Sequence, residues 1–157
     1  MGSGKTHWGR IWATENGIPF YDLDTMIEEQ EEKTVAGIFE SAGEEYFREK
    51  ETEVLKKFVK KNKFIMACGG GTPCFNDNMN YMNAMGTTIY LTASVQYIYE
   101  NVIAEKDKRP LIKDFSPAGL FYFIEQTLKE REPFYMQSKI ILPVTGLSAE
   151  SLLTLNV

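Results

Sequence analysis

Gly2, Ser3, Gly4, Lys5 and Thr6 form a run whose residue types suit the holding of phosphate. Glycines let backbone N–H groups turn inward around phosphate oxygens with no side chain in the way. Lys5 would reach the β- and γ-phosphates as a point charge. The Thr6 hydroxyl would ligate Mg²⁺, and a helix opening at this point would add the positive end of its dipole. The run is the end of the pattern G-x-x-x-x-G-K-[ST], whose first glycine would fall before Met1. The plainer alternative is a glycine turn that caps an ordinary helix.

Further along the chain lie groups suited to a hydroxylated, negatively charged substrate. Asp22 and Asp24 end the apolar run Phe20-Tyr21. On an extended chain the i, i+2 spacing points both carboxylates to one side. One would help hold Mg²⁺ through water, and the other would accept a proton from a substrate hydroxyl. Taken alone, the pair reads slightly better as Asp24 capping a helix that starts near Thr25. Arg48 has Glu51 one helical turn away. The pair suits bidentate capture of a carboxylate, or else a solvated i, i+3 ion pair. Gly69, Gly70 and Gly71 follow an apolar run and suggest close backbone approach to a ligand. Arg109 sits in a polar stretch suited to a lid over phosphates, where it would stabilise the transferred phosphoryl group. Arg131 closes a helix, where a cation complements the dipole or binds a second carboxylate oxygen.

The elements that must position these groups alternate between helix and strand. Helices are expected over 6–15, 26–32, 35–41, 44–61, 76–85, 95–105 and 118–132, and strands over 18–21, 64–67, 87–91 and 140–144. Ala42-Gly43 separates the third helix from the fourth, whose apolar face is Phe47, Val54, Leu55, Phe58 and Val59. Such alternation predicts an α/β fold with a doubly wound parallel sheet. A phosphate loop is normally fed by a buried central strand. The expectation here is that this strand is missing from the given chain, or is replaced by a strand from elsewhere.

With 157 residues, 43% hydrophobic and 25% charged, the chain fits one soluble globular domain. A net charge of −5 and a pI near 5.0 argue against a nucleic-acid partner. There is no membrane-length apolar run and no signal-like N-terminus, so a cytoplasmic location is expected. Cys68 and Cys74, with one histidine in the chain, make a zinc site a poor fit and read as reduced thiols.

The ordered set of GSGKT at 2–6, FYDLD at 20–24, FREKE at 47–51, GGGTP at 69–73, RPL at 109–111 and REPFY at 131–135 resembles the shikimate kinase family. The similarity covers almost the whole chain. It implies a three-layer P-loop kinase fold with a five-stranded parallel sheet, substrate-binding helices at about 25–61 and a mobile lid at about 106–118. It implies phosphorylation of the 3-hydroxyl of shikimate by MgATP, in aromatic amino-acid biosynthesis, by a monomer. On the same resemblance Lys5, Asp24 and Arg109 are catalytic. Asp24, Arg48, Gly70, Gly71 and Arg131 bind shikimate. Gly2, Ser3, Gly4, Lys5, Thr6, His7 and Arg109 bind the nucleotide, and Thr6 and Asp22 serve the metal.

Besides the first strand and first loop glycine, which are expected to be missing from the given chain, there are three departures from the family. His7 stands where a small hydroxyl residue is usual, the 97–105 segment has no arginine for the adenine, and Leu142-Pro143-Val144-Thr145 lacks an acidic residue. The alternatives are a gluconate kinase-like enzyme and a catalytically silent nucleotide-binding module.

Overall fold

The structure is a computed structural model that describes residues 2–58, 63–104 and 115–155. Helices alternate with short parallel strands, as the sequence pattern predicts. Helix α1 (Lys5–Glu15) opens on the glycine run, strand β1 (Phe20–Asp22) follows, and α2 (Leu23–Glu31) starts without a break. Helix α3 (Val35–Phe58) is continuous except at Gly43, whose φ of 84° bends the axis where the expected boundary lay. Only glycine takes that conformation without strain. Strand β2 (Ile65–Ala67), α4 (Asn78–Met85), β3 (Ile89–Thr92), α5 (Val95–Ala104), α6 (Pro117–Tyr135) and β4 (Ile140–Pro143) complete the main elements.

Among the described residues the four strands form two parallel pairs. Strand β1 pairs with β2, with Phe20 opposite Ile65 and Asp22 opposite Ala67. Strand β3 pairs with β4, with Ile89 opposite Ile140 and Leu91 opposite Leu142. One edge of β2 and one edge of β3 border a common cavity of about 620 Å³.

Three apolar clusters hold the elements together. Leu23 and Ile27 of α2 pack on Ile38, Phe47, Val54 and Leu55 of α3. Ile98 and Val102 of α5 pack on Leu120 and Ile124 of α6. Trp12 of α1 meets Leu91, Val144 and Leu152. The first two follow from apolar residues repeating at helical spacing, which forces one face of each helix out of water. The start of α6 is fixed by Ser116, whose hydroxyl accepts the Gly119 N–H at 3.1 Å, and by Pro117 in the first turn.

Candidate active site

The glycine run caps α1 through Gly4, which sits in the left-handed region at φ 83°. Gly2 is also left-handed, at φ 69°. A side chain there would meet Val102 Cγ2 at 2.8 Å and the Ile98 carbonyl at 3.0 Å. The Gly2 carbonyl accepts a bond from Asn101 Nδ2 at 2.8 Å. Helix α5 therefore clamps the loop against the end of α1. Ser3 is buried, and His7 is exposed with its ring edge-on to Trp8 at 5.3 Å.

Thr6 and Asp22 meet: Thr6 Oγ1 donates to Asp22 Oδ2 at 2.9 Å. The other Asp22 oxygen accepts the Thr25 N–H at 3.5 Å, so Asp22 is the cap of α2. This corrects two expectations. The cap is not Asp24, and the two carboxylates do not share one extended chain. Asp22 ends β1, whereas Asp24 lies in the first turn of α2. The backbone turns between them because the α2 cap follows β1 directly.

Asp24 is held in a poorly solvated position. Burial, with the charges of Asp22 and Glu51 adding to it, raises its carboxyl to about 6, against the pull of Lys5. Lys5 is lowered by burial, while Asp24 and Asp22 draw it back up. The Lys5 side chain lines the cavity with Ser3, Gly69, Gly70, Arg131 and Tyr135. Beside it the Cys68 thiol is pushed up to about 12 by burial, so it stays protonated at neutral pH.

Arg48 is 8% exposed and fixed from several sides. Its Nη1 donates to Glu51 Oε2 at 3.0 Å. Its Nη2 and Nε donate to Glu44 Oε1 at 3.0 and 3.2 Å. The Phe75 ring lies 4.4 Å from the guanidinium carbon and the Phe47 ring 5.2 Å. A solvated ion pair, the plainer alternative for Arg48 and Glu51, is ruled out, because Glu51 is fully buried.

The glycine turn packs directly on these groups. A side chain at Gly69 would approach Asp24 Oδ1 at 2.9 Å and Glu51 Oε1 at 3.1 Å. A side chain at Gly71 would collide with the Arg48 guanidinium. Thr72 Oγ1 donates to Glu51 Oε1 at 2.5 Å. The Gly70 carbonyl accepts the Tyr135 hydroxyl at 2.6 Å. Both Arg48 and Arg131 act on the Cys74 thiol and on the Tyr135 phenol, whose pKa values are nevertheless raised, chiefly by burial. Arg48 packs on Gly71, and Arg131 lines the cavity with Gly69 and Gly70, so α3 and α6 bring the two side chains to the same turn.

Arg109 and most of the expected lid fall outside the described residues. Sequence reasoning left out Thr72, Asn101, Phe75 and Tyr135 as contacts of the site. Tyr135 was findable, being one turn after Arg131 on the same helix. The Asn101 contact joins residues 99 apart and leaves no local signal.

A glycine loop at a helix N-terminus, a hydroxyl paired with a strand-end carboxylate, and parallel strands alternating with helices define a small-molecule kinase of the P-loop type. The shikimate kinase family model matches residues 1–155 of this chain. The shikimate kinase of Azobacteroides pseudotrichonymphae is 43% identical over 142 residues, 90% of this chain and 84% of the relative. That of Bacteroides fragilis is 41% identical, over 90% of this chain and 79% of the relative. The crystal structure of shikimate kinase from Bacteroides thetaiotaomicron superposes with a TM-score of 0.95 at 35% identity, covering 99% of this chain and 93% of that one. The enzyme from Acinetobacter baumannii, solved in complex with shikimate, gives 0.84 at 30% identity, over 99% of this chain and 85% of that one. The chain belongs to the shikimate kinase family.

Proposed function

We propose that the residues of this chain divide the phosphorylation of shikimate by ATP as follows. Arg48 and Arg131 hold the substrate carboxylate. The carrying observation is that Arg48 is buried, with its donors oriented by Glu44 and Glu51, and converges with Arg131 on one glycine turn. A planar guanidinium held this way suits two parallel bonds to a carboxylate. Gly70 and Gly71 bring backbone to the ring hydroxyls, because a side chain at Gly71 would strike Arg48.

Asp24 accepts the proton of the 3-hydroxyl, with its carboxyl raised to about 6 and so ionised at neutral pH. Lys5 and the Gly2–Thr6 backbone hold the phosphates, with His7 at the edge of the nucleotide site. Arg109, after α5, adds a cation to the transferred group. Transfer then rests on placement and charge, as phosphoryl transfer requires.

Mg²⁺ fits the Thr6 hydroxyl, with Asp22 acting on it through water. The 2.9 Å Thr6–Asp22 bond holds that hydroxyl in place. Sites of this kind take one or two protein oxygens and complete the shell with phosphate and water. When bound there, the ion would supply positive charge against the negative charge of the phosphates. In the working enzyme the sheet has five strands, the fifth running between β2 and β3 into the glycine loop. The enzyme is a single domain, with substrate-binding helices at about 25–61 and a lid at about 106–118. It acts as a cytoplasmic monomer.

Calorimetric titration of shikimate into the wild type, Arg48→Ala and Arg131→Ala tests this division. Both substitutions weaken shikimate binding at least about tenfold, as lost charge-assisted bonds do, and leave MgATP binding intact. Unchanged shikimate affinity in either variant removes that arginine from the site.

A further inference from the structure

After the glycine turn the backbone takes a conformation that few side chains accept. Asn76 and Asp77 are both left-handed, at φ 52° and 57°. Asparagine and aspartate enter that region more readily than most residues, yet two in succession persist only where the surroundings hold them. The holding bonds come from α3 and the glycine turn. Asn76 Nδ2 donates to the Arg48 carbonyl and to Thr52 Oγ1, both at 3.0 Å. Asn78 Nδ2 donates to Thr52 Oγ1 and to the Thr72 carbonyl, both at 3.1 Å. Thr52 spends its own proton on the Arg48 carbonyl at 2.9 Å, so its oxygen is left to accept from both amides. Asn78 is fully buried, and its Oδ1 has no partner among the described residues. A buried amide with its oxygen unsatisfied is costly, so packing alone would favour an apolar residue at this position.

These bonds tie residues 72–78 to the turn of α3 that carries Arg48. Their consequence lies at Phe75, between the glycine turn and the two left-handed residues. The centre of its ring is 4.4 Å from the guanidinium carbon, nearer than that of Phe47 at 5.2 Å. A guanidinium is attracted to the face of such a ring. The edges of the same group are set by carboxylates. Nε and Nη2 donate to Glu44, and Nη1 donates to Glu51. Each terminal nitrogen carries a second N–H, and among the described residues neither of these has a partner. That is the pair a carboxylate takes in a fork. Glu44 and Glu51 thus fix the guanidinium within its plane, and Phe75 fixes the tilt of the plane.

We propose that Phe75 and Asn78 are positioning residues for the substrate carboxylate. Asn78 anchors the 72–78 segment to α3 through Thr52, and Phe75 holds the tilt of the Arg48 guanidinium. The proposal rests on the reading of Arg48 as a carboxylate-binding arginine and adds what fixes its plane. Neither residue acts on the reacting atoms. Their loss is felt in the binding of shikimate and not of nucleotide, because Lys5 and the Gly2–Thr6 loop belong to the start of α1.

The test is steady-state kinetics with shikimate and ATP, and a thermal melt, on the full chain. The variants are Phe75→Leu, Phe75→Tyr, Asn78→Ala and the double Phe75→Leu/Asn78→Ala, with Arg48→Ala as reference. Phe75 is 37% exposed, so its substitution removes the ring without emptying the core. Phe75→Leu and Asn78→Ala should each raise KM for shikimate about threefold or more, the scale of one lost cation–ring contact. KM for ATP should stay within about twofold. Phe75→Tyr keeps the ring face and should stay near the wild type. Because Asn78 acts through Phe75, the double variant should raise KM by less than the product of the single effects. Asn78→Ala with a lower Tm but wild-type KM for shikimate makes Asn78 a packing residue and overturns the proposal. Equal rises in Phe75→Leu and Phe75→Tyr, or parallel rises for shikimate and ATP, overturn it too. Should Asn78→Ala fail to fold, the two Phe75 variants decide by themselves. If Arg48→Ala raises KM for shikimate and the other variants do not, this proposal fails and the reading of Arg48 stands. If Arg48→Ala leaves that KM unchanged, both fall.

Discussion

Arg48 and Glu51 form an ion pair in which the carboxylate has no contact with solvent. Glu51 spends one oxygen on Arg48 and the other on Thr72, so the buried arginine and the residue after the glycine turn hang on one buried group. Removing one partner of such a pair leaves the other charge buried and uncompensated, at about 3–5 kcal/mol. Glu51→Ala should therefore lower stability by that order, measured by denaturant unfolding. Glu51→Gln keeps the shape and should lose less stability while still raising KM for shikimate. A Glu51→Gln enzyme with wild-type KM would detach Glu51 from the orientation of Arg48.

Arg48→Lys keeps a cation but loses the fork that Glu44 and Glu51 orient. KM for shikimate should rise about tenfold or more while KM for ATP stays within about twofold. Parallel rises in both constants in steady-state kinetics would point to a general disturbance of the fold instead.

Asp24 carries the pH dependence. Its carboxyl is raised from 3.8 to about 6, so the base is lost as pH falls through about 6. The acid limb of kcat/KM should sit there, and Asp24→Asn should lower kcat by roughly 10²–10⁴-fold and abolish that limb. Stability has the opposite sign. A carboxyl raised on folding binds its proton more tightly in the folded state, so the contribution of Asp24 to stability is fully present below its ordinary value of 3.8 and is lost as pH rises through about 6. Asp24→Asn should then melt above the wild type at pH 8, with the difference closing towards pH 4. A lower Tm for the variant at pH 8 would contradict this.

Tyr135→Phe removes only the hydroxyl that bonds the Gly70 carbonyl at 2.6 Å. Loss of that bond frees the turn beside Arg131. KM for shikimate should rise a few fold, with ATP binding unchanged, in a paired titration of both substrates. No change would leave Tyr135 as a packing residue against Tyr90.

The candidate site residues stand out in the sequence because their types are demanding. A lysine after two glycines, paired acids after a strand and arginines at fixed distances have few other uses together. What escaped was the geometry between neighbours. Asp22 and Asp24 looked equivalent on an extended chain, but α2 begins between them, so one caps a helix and the other lies in a poorly solvated position. Gly69 gave no sign that it was the glycine under Asp24 and Glu51. The break at Gly43 was visible because a positive φ calls for glycine, whereas the Asn101–Gly2 bond depends on α5 packing against the loop.

The central claim is that Arg48 and Arg131 select a carboxylate for phosphorylation by MgATP. The most direct measurement is ADP release by this chain with shikimate, with the methyl ester of shikimate and with gluconate. ADP release should depend on shikimate, the product should carry phosphate on the 3-hydroxyl, and the ester, which lacks the charge, should react at least about tenfold more slowly at subsaturating concentration. Equal turnover of shikimate and its ester, or faster turnover of gluconate, would contradict the account.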